Sequence, residues 1–185
     1  MPVGSTSFRS SLGDDDSIAE LARELGLLWD GLDRLINNAG MLVAGERFGE
    51  LRAEALLRSY RVNAVGPLLL TQALADRLAR GERPRVAMIS SLLGSIASTR
   101  RFGTPSYAIS KAALNMATRQ AALALAPRGV LCLALSPGWV RTDMGGPEAE
   151  LAPPESVAAM IDFLERAPPE ASGGFFERDG SPLPW

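Results

Sequence analysis

Two side chains that are capable of acid–base chemistry lie four residues apart near the middle of the chain. Lys111 is the only lysine, since every other basic residue is arginine, and it follows Tyr107, one of two tyrosines. The residues around them favour a helix, and positions i and i+4 of a helix share a face. The spacing therefore predicts a phenol and an ammonium side by side.

A phenol beside an ammonium is a candidate general acid–base pair. Free tyrosine has a pKa of about 10, and one full charge about 4 Å away, at an effective dielectric near 20, contributes about 4 kcal/mol, or roughly three pKa units. Such a lowering brings the Tyr107 phenol near neutral pH, where proton transfer is efficient. The alternative is a tyrosine packed on its helix with a solvated lysine behind it.

The composition excludes several other kinds of site. The 185 residues include no histidine and one cysteine, Cys132, which lies in an apolar run, so zinc sites, histidine-based triads and intrachain disulfides are excluded. A net charge of −2 gives no indication of nucleic-acid binding. No segment resembles a signal peptide, and none is long and apolar enough to span a bilayer. We therefore expect one cytoplasmic, metal-free domain over residues 1–185.

Short apolar runs alternate with helical patterns along the chain. The residues up to about 13 have no periodicity. A capping box at Ser17 predicts the start of the first helix, and the second is expected to break near Gly66 and Pro67. Strands are predicted at 35–37, 85–90, 130–136 and 174–177, and helices at 17–28, 51–79, 106–126 and 154–166. This alternation predicts an α/β fold with a parallel sheet and flanking helices.

Polar residues directly follow three of the predicted strands, at 37–40, 90–91 and 136–138. Each cluster alone is typical of an ordinary turn. In parallel sheets, however, ligands bind outside the carboxyl ends of the strands. The recurrence of polar residues at one edge therefore predicts a binding site there.

Five ordered motifs carry a family resemblance that covers roughly residues 12–185. The motifs are Asn37-Asn38-Ala39-Gly40, Asn63-Ala64-Val65-Gly66, Ile89-Ser90-Ser91, Tyr107-x-x-x-Lys111 and Ser136-Pro137-Gly138-Trp139-Val140-x-Thr142. They resemble those of the short-chain dehydrogenase/reductase family, which implies a Rossmann-like fold. More narrowly, residues 110–116, 137–147 and 174–185 resemble the C-factor branch, close to sniffer-type carbonyl reductases.

The resemblance implies catalytic roles for four residues. Tyr107 would exchange a proton with the substrate oxygen while hydride moves to or from nicotinamide. Lys111 would lower the pKa of that phenol and hold the nicotinamide ribose. Ser91 would hydrogen-bond the substrate carbonyl, with Ser95 as a weaker candidate. Asn63 would fix a water beside the lysine, or else satisfy the backbone at the expected kink.

The resemblance also implies a cofactor, NAD or NADP, and a small carbonyl or alcohol substrate. Ser90 is expected to cap its strand end. Trp139 and Met144 would wall the substrate pocket or belong to the core. The cofactor would lie along its adenosine side on Asn38, Ala39 and Gly40, and elsewhere on Tyr107, Lys111, Pro137, Gly138, Val140 and Thr142.

One departure from the family is large. Its members begin with a strand, a glycine-rich turn and a helix whose N-terminus holds the pyrophosphate. No closely spaced glycine triplet precedes Asn37, so the resemblance implies an N-terminally truncated fold, and we expect weak or absent cofactor binding. The strand at 35–37 becomes an exposed apolar edge that N-terminal residues, a second chain or another segment must cover.

This departure leaves other interpretations open. One is a non-enzymatic signalling or interaction protein, because a C-factor form without the N-terminal cofactor segment is associated with intercellular developmental signalling. Another is a misplaced start codon. The family resemblance also implies a homo-oligomer, formed through the helices at 51–79 and 106–126. NAD and NADP cannot be distinguished without the missing motif.

Overall fold

Four parallel strands form the centre of the computed structural model, which describes residues 11–185. They lie in the order β1 (Arg34–Asn37), β2 (Arg85–Ile89), β3 (Leu131–Ser136) and β4 (Phe175–Glu177). The register pairs Leu35 with Val86 and Val86 with Cys132. The predicted α/β fold with a parallel sheet is confirmed. Most of the aperiodic N-terminal stretch lies outside the described residues.

Helices cover both faces of the sheet. The helices are α1 (Asp15–Leu28), α2 (Ala53–Tyr60), α3 (Gly66–Ala73), α4 (Ala75–Leu78), α5 (Pro105–Leu125) and α6 (Pro153–Arg166). Val86, Met88 and Cys132 point into a core shared with α1, α3 and α5, whereas Ala87 and Leu133 point into a second core shared with α6. This alternation is the two-residue period of a strand that is buried on both faces.

One predicted helix detail is wrong. The cap of α1 is Asp14, whose carboxylate accepts from the Ser17 backbone N at 2.9 Å. The long helix is interrupted by a π-helical segment, Arg61–Val65, directly before Gly66 and Pro67, and again at Leu74. Pro67 lies in the first turn of α3, where a missing N–H costs little.

The β1 strand forms an edge of the sheet, as predicted. It pairs with β2 on one side, and no other strand within residues 11–185 pairs with it. Ile36 is 48% exposed, on the face where Arg34 binds Glu165 of α6. On α6, Val157 and Ile161 are 47% and 45% exposed. The edge therefore continues into an apolar surface beside α6.

We expect Ile36→Lys to reduce concentration-dependent self-association, because a charge on an edge strand opposes strand-to-strand pairing. Its free energy of unfolding should change by no more than about 0.5 kcal/mol, since the side chain is half exposed. Light scattering over a concentration series measures association, and urea unfolding measures stability. Ile96→Lys, at an exposed loop position, is the matched control. Equal association of the two variants would contradict the role of the edge.

Candidate active site

Tyr107 and Lys111 lie one turn apart on α5, on the side that meets the end of β2. The Lys111 Nζ donates a hydrogen bond to the carbonyl oxygen of Ile89 at 2.6 Å. It also lies 5.5 Å from the centroid of the Tyr107 ring. Both residues are buried, with 8% of Tyr107 and 3% of Lys111 exposed. The predicted pairing of phenol and amine on one helix face is confirmed.

A cavity of about 760 Å³ opens at the carboxyl edge of the sheet and holds this pair. The Tyr107–Lys111 pair therefore faces a space that can admit a small molecule. Ten of the eleven predicted site residues line the cavity: Asn38, Ala39, Gly40, Ser91, Tyr107, Lys111, Pro137, Gly138, Val140 and Thr142. The exception, Asn63, lies buried behind it.

The acidity of Tyr107 differs from the expectation. Burial raises the pKa of the Tyr107 phenol, and a hydrogen bond with the Ser91 side chain acts in the opposite, weaker direction. The prediction that Lys111 lowers the pKa of the Tyr107 phenol is therefore wrong. The reason is geometric, because the Lys111 Nζ lies over the ring and donates to the Ile89 carbonyl.

Burial also acts on the lysine. It lowers the pKa of the Lys111 amine from 10.5 to about 8, since a buried ammonium loses its hydration. Burial disfavours the charged form of both groups. At pH 7 the Tyr107 phenol is therefore neutral, and a small fraction of the Lys111 amine is neutral.

The serines after β2 have different surroundings. Ser91 opens the 3₁₀ turn Leu92–Gly94, where its Oγ accepts from the Leu93 backbone N at 3.2 Å. Ser90 closes the strand end through its backbone N to Leu135 O at 2.7 Å. Ser95 is fully buried and donates to the Pro184 carbonyl at 2.7 Å. Of these serines, Ser91 is the one whose side chain acts on the pKa of the Tyr107 phenol.

Asn63 connects α5 to the loop that follows β1. Its Oδ1 accepts from the Met41 backbone N at 2.8 Å, and its Nδ2 donates to Met41 O at 2.8 Å and to Ser110 Oγ at 2.9 Å. The alternative role, in which Asn63 satisfies the backbone at a Gly66-Pro67 kink, does not match these bonds. The water-fixing role stays a prediction.

The residues after β1 divide between core and cavity. The Asn37 side chain turns inward and donates to Thr71 Oγ1 at 3.1 Å, whereas Asn38 and Ala39 line the cavity. An ideal Cβ on Gly40 would lie 3.5 Å from Asn63 Oδ1 and 3.6 Å from Lys111 Nζ. Gly40, which was expected along the adenosine side, thus lies beside Lys111, and its missing side chain leaves the amine uncovered on that side.

The loop after β3 forms the opposite wall. A bridge between Val140 and Leu151 closes it, and within it the Trp139 indole donates to Gly145 O at 2.8 Å. The Thr142 Oγ1 accepts from the Gly145 backbone N at 3.1 Å. Gly138 has φ +77°, and a Cβ there would lie 2.6 Å from a Leu151 methyl. The loop is thus held by its own hydrogen bonds against the cavity.

A family model described as short chain dehydrogenase matches residues 6–151. The chain belongs to the short-chain dehydrogenase family.

Individual relatives agree with the predicted branch of this dehydrogenase family. The chain is 42% identical over 154 residues to C-signal of Myxococcus xanthus, covering 83% of this chain and 93% of C-signal. The carbonyl reductase Sniffer of D. melanogaster superposes with a TM-score of 0.92 at 33% identity, covering 96% of this chain and 77% of Sniffer. An NADPH-bound carbonyl reductase from chicken fatty liver gives 0.89 at 34% identity, covering 95% and 75%. The predicted family and branch are confirmed.

Sequence reasoning missed several residues that shape this dehydrogenase-type site. Asn115 accepts from Ser90 Oγ at 2.6 Å and donates to the Gly94 carbonyl. A Cβ on Gly94 would lie 2.8 Å from the Lys111 carbonyl carbon, so only glycine lets the 3₁₀ turn approach α5 so closely. Additional cavity walls come from Leu42, Leu93, Asp143, Val157 and Met160. Among these missed residues, Gly94 in the run Leu92-Leu93-Gly94 was the one that carried a local sequence signal.

Glu46 is another missed residue, and it caps the helix that carries the pair. Thr104, before α5, has φ +40° and makes no side-chain cap. The Glu46 carboxylate instead accepts from the Ser106 backbone N at 3.2 Å and from Ser106 Oγ at 2.8 Å. A carboxylate at a helix N-terminus also interacts favourably with the helix dipole. No local pattern predicts a contact across 60 residues.

The described residues fit one end of a nicotinamide dinucleotide better than the other. The open side of Lys111 and the loop from Pro137 to Thr142 suit a ribose and a carboxamide. Pyrophosphate binding needs free amides at a helix N-terminus. At this edge the N-terminus of α5 is occupied by Glu46, and α6 begins with Pro153 and Pro154, which lack N–H groups.

Residues 11–185 contain neither a metal-binding cluster nor a helix that could cross a membrane. No group of three or more histidine, cysteine, aspartate or glutamate side chains in this range is arranged to hold a metal ion. No helix in the same range combines the length and apolarity needed to cross a membrane.

We expect Glu46→Ala to lower the free energy of unfolding by about 1 kcal/mol, because it removes the cap of α5. Glu46→Gln retains an acceptor oxygen and should lose less. Urea unfolding measures both variants. Glu50→Ala, in the same loop but outside the cap, is the control. The capping role is wrong if Glu46→Ala is no less stable than Glu50→Ala.

Proposed function

We propose that the cavity is the catalytic site of an NAD(P)-dependent reductase acting on small, apolar carbonyl compounds. The observation that supports this most directly is the convergence of Tyr107, Ser91 and Lys111 on one cavity in a chain of the short-chain dehydrogenase family. The reverse reaction, oxidation of the corresponding alcohol, uses the same groups.

Tyr107 is the proposed proton donor to the substrate oxygen. The raised pKa of its phenol keeps the proton on the oxygen at neutral pH, which suits an acid in the direction of reduction. Ser91 hydrogen-bonds the same substrate oxygen and thereby orients the carbonyl. The nicotinamide, when bound, supplies the hydride.

Lys111 and Asn63 are proposed to support Tyr107. Lys111 holds the nicotinamide ribose on the side that Gly40 leaves uncovered. Asn63, bonded to Ser110 one residue before Lys111, positions a water that exchanges protons with the solvent. Neither residue touches the substrate carbon in this proposal.

The cavity walls favour a neutral, apolar substrate. One charged side chain other than Lys111 lies among the lining residues, and it is Asp143, an acid. A carboxylate or phosphate substrate would meet repulsion from it. The apolar walls are Leu42, Leu93, Trp139, Met144, Val157 and Met160.

The proposed cofactor is NAD or NADP, supported by the NADPH-bound carbonyl reductase among the similar structures. On this chain it would lie against Asn38, Ala39, Gly40, Pro137, Gly138, Val140 and Thr142. Because the described helix N-termini at this edge offer no free amides for the pyrophosphate, we propose that this chain binds the dinucleotide weakly.

Tyr107→Phe should lower kcat/KM for NADPH-dependent reduction of acetophenone by about 100-fold or more, because the proton donor is removed while the ring remains. Steady-state kinetics at millimolar NADPH measure the effect, and circular dichroism verifies the fold. Tyr60→Phe, which alters the other tyrosine outside the cavity, should retain activity. An active Tyr107→Phe variant, or a wild-type chain without turnover, would refute the reductase proposal.

Fluorescence titration with NADPH should show no saturation in the micromolar range. If the pyrophosphate gains nothing from the protein, reduced nicotinamide mononucleotide should bind within about tenfold of NADPH, or about 1.4 kcal/mol. The mononucleotide is the matched control, since it lacks the pyrophosphate. Micromolar affinity for NADPH alone would show that the chain does bind the pyrophosphate.

A second candidate is an interaction or signalling protein that uses no cofactor. The observation that bears on it is the likeness to C-signal over 93% of that protein. We favour the reductase because an interaction protein has no need of a phenol, a hydroxyl and an amine that converge on a cavity. Tyr107→Phe separates the two candidates, since it should leave a signalling role unharmed.

Assembly and location are also proposals. Helices α2 and α5 contact each other and expose large apolar side chains, which favours a homo-oligomer formed through them. The exposed side chains are Leu57, Tyr60, Ile109, Met116 and Leu123. A cytoplasmic location is likewise proposed.

A further inference from the structure

Lys111 has features of a nucleophile in addition to its proposed role as a cofactor ligand. It is 3% exposed, yet it lines a cavity of about 760 Å³ with apolar walls. Its Nζ is held at 2.6 Å by the Ile89 carbonyl, and Gly40 has no side chain to cover it. Amines in desolvated apolar pockets are the ones that form Schiff bases with carbonyl compounds.

The protonation state of the amine supports this chemistry. The nucleophile is the neutral amine, and burial lowers the pKa of Lys111 to about 8. At pH 7 about a tenth of it is neutral, roughly 200 times the fraction of an ordinary lysine with a pKa near 10.4. The neighbouring hydroxyls of Tyr107 and Ser91 can hydrogen-bond the carbonyl oxygen under attack.

We propose that Lys111 condenses with small, apolar aldehydes that enter the cavity and forms an imine without any nicotinamide cofactor. This proposal does not rest on the reductase function. The walls described above favour an uncharged aldehyde small enough to reach the floor of the cavity, where α5 meets β2.

The condensation balances without any oxidant or reductant. The Nζ lone pair forms a C–N bond to the aldehyde carbon, and the C=O electron pair moves to the oxygen, which takes a proton from Tyr107. The nitrogen loses one proton to restore the Tyr107 hydroxyl. The carbinolamine then forms C=N as its C–O bond breaks, and the oxygen leaves with two protons as water.

The test is reductive trapping with benzaldehyde and sodium cyanoborohydride at pH 7, without cofactor. Hydride from the cyanoborohydride converts the imine to a stable secondary amine. Because Lys111 is the sole lysine, the other amine is the N-terminal one, and peptide mapping separates them. We expect one benzyl group on Lys111, seen as loss of tryptic cleavage after that residue.

The unfolded wild-type chain is the first control, because it keeps the lysine but loses the cavity. In guanidinium chloride the pKa of Lys111 returns to its ordinary range, so labelling should be at least about 10-fold slower than in the folded chain. Equal or faster labelling in guanidinium chloride would overturn the proposal, as would a folded chain without label on Lys111.

Two variants test the geometry. Gly40→Val, which places methyl groups next to Nζ, should slow labelling several-fold, and circular dichroism verifies that the variant is folded. Lys111→Arg retains the charge and should give label at the N-terminus only. Unchanged labelling of folded Gly40→Val would show that the aldehyde does not approach through the cavity.

Labelling should rise with pH and level off above about 8, the pKa of Lys111. The titratable and charged groups facing it are Tyr107 on its own helix and Asp143 on the loop after β3. The ends of β1 and β2 and the π-helical segment contribute neutral groups, namely Asn38, Ser90, Ser91 and Asn63. A midpoint near 10 would mean that the reacting amine is solvated, and would contradict the proposal.

Discussion

The hydrogen bond from Lys111 Nζ to the Ile89 carbonyl determines how the site is assembled. A buried ammonium needs a partner, and the last carbonyl of β2 provides one at 2.6 Å. This bond joins α5 to the strand end and so sets the position of Tyr107 one turn earlier. Gly94 lets the intervening 3₁₀ turn pack against the Lys111 backbone, and that turn begins at Ser91. Strand, turn and helix therefore fix one another's positions around the phenol.

The same burial determines the chemistry that the pair can perform. It raises the pKa of Tyr107 and lowers that of Lys111, so the phenol stays neutral at pH 7 and a minor fraction of the amine is neutral as well. A neutral phenol is a proton donor, and a neutral amine is a nucleophile. The expectation of an acidified phenol assumed a solvated Coulomb interaction in which desolvation played no part. In this structure desolvation of the phenol outweighs the hydrogen bond from Ser91, and the ammonium is directed elsewhere.

Much of the fold followed from local patterns, because apolar strands and helical periodicity depend on neighbouring residues. The strands lie within a residue or two of their expected bounds, and Tyr107 and Lys111 share a face because of their spacing. The failures involve contacts that no local pattern encodes. The cap of α1 is Asp14, three residues before the Ser17 that the capping box predicts. Glu46 reaches Ser106 across 60 residues, and the pKa of Tyr107 depends on burial by distant elements.

The exposed edge and the poor fit for pyrophosphate are two aspects of one structural problem. In a parallel sheet both faces of each strand are normally covered, yet Ile36, Val157 and Ile161 lie exposed beside β1. A further parallel strand paired with β1 would cover the edge, and its following helix would cover Ile36 and α6. The turn between that strand and helix would fall at the carboxyl edge, next to Asn38, with free amides facing the cavity. A segment that covers the exposed edge of β1 by pairing with it in parallel would therefore also place backbone amides where a pyrophosphate would lie.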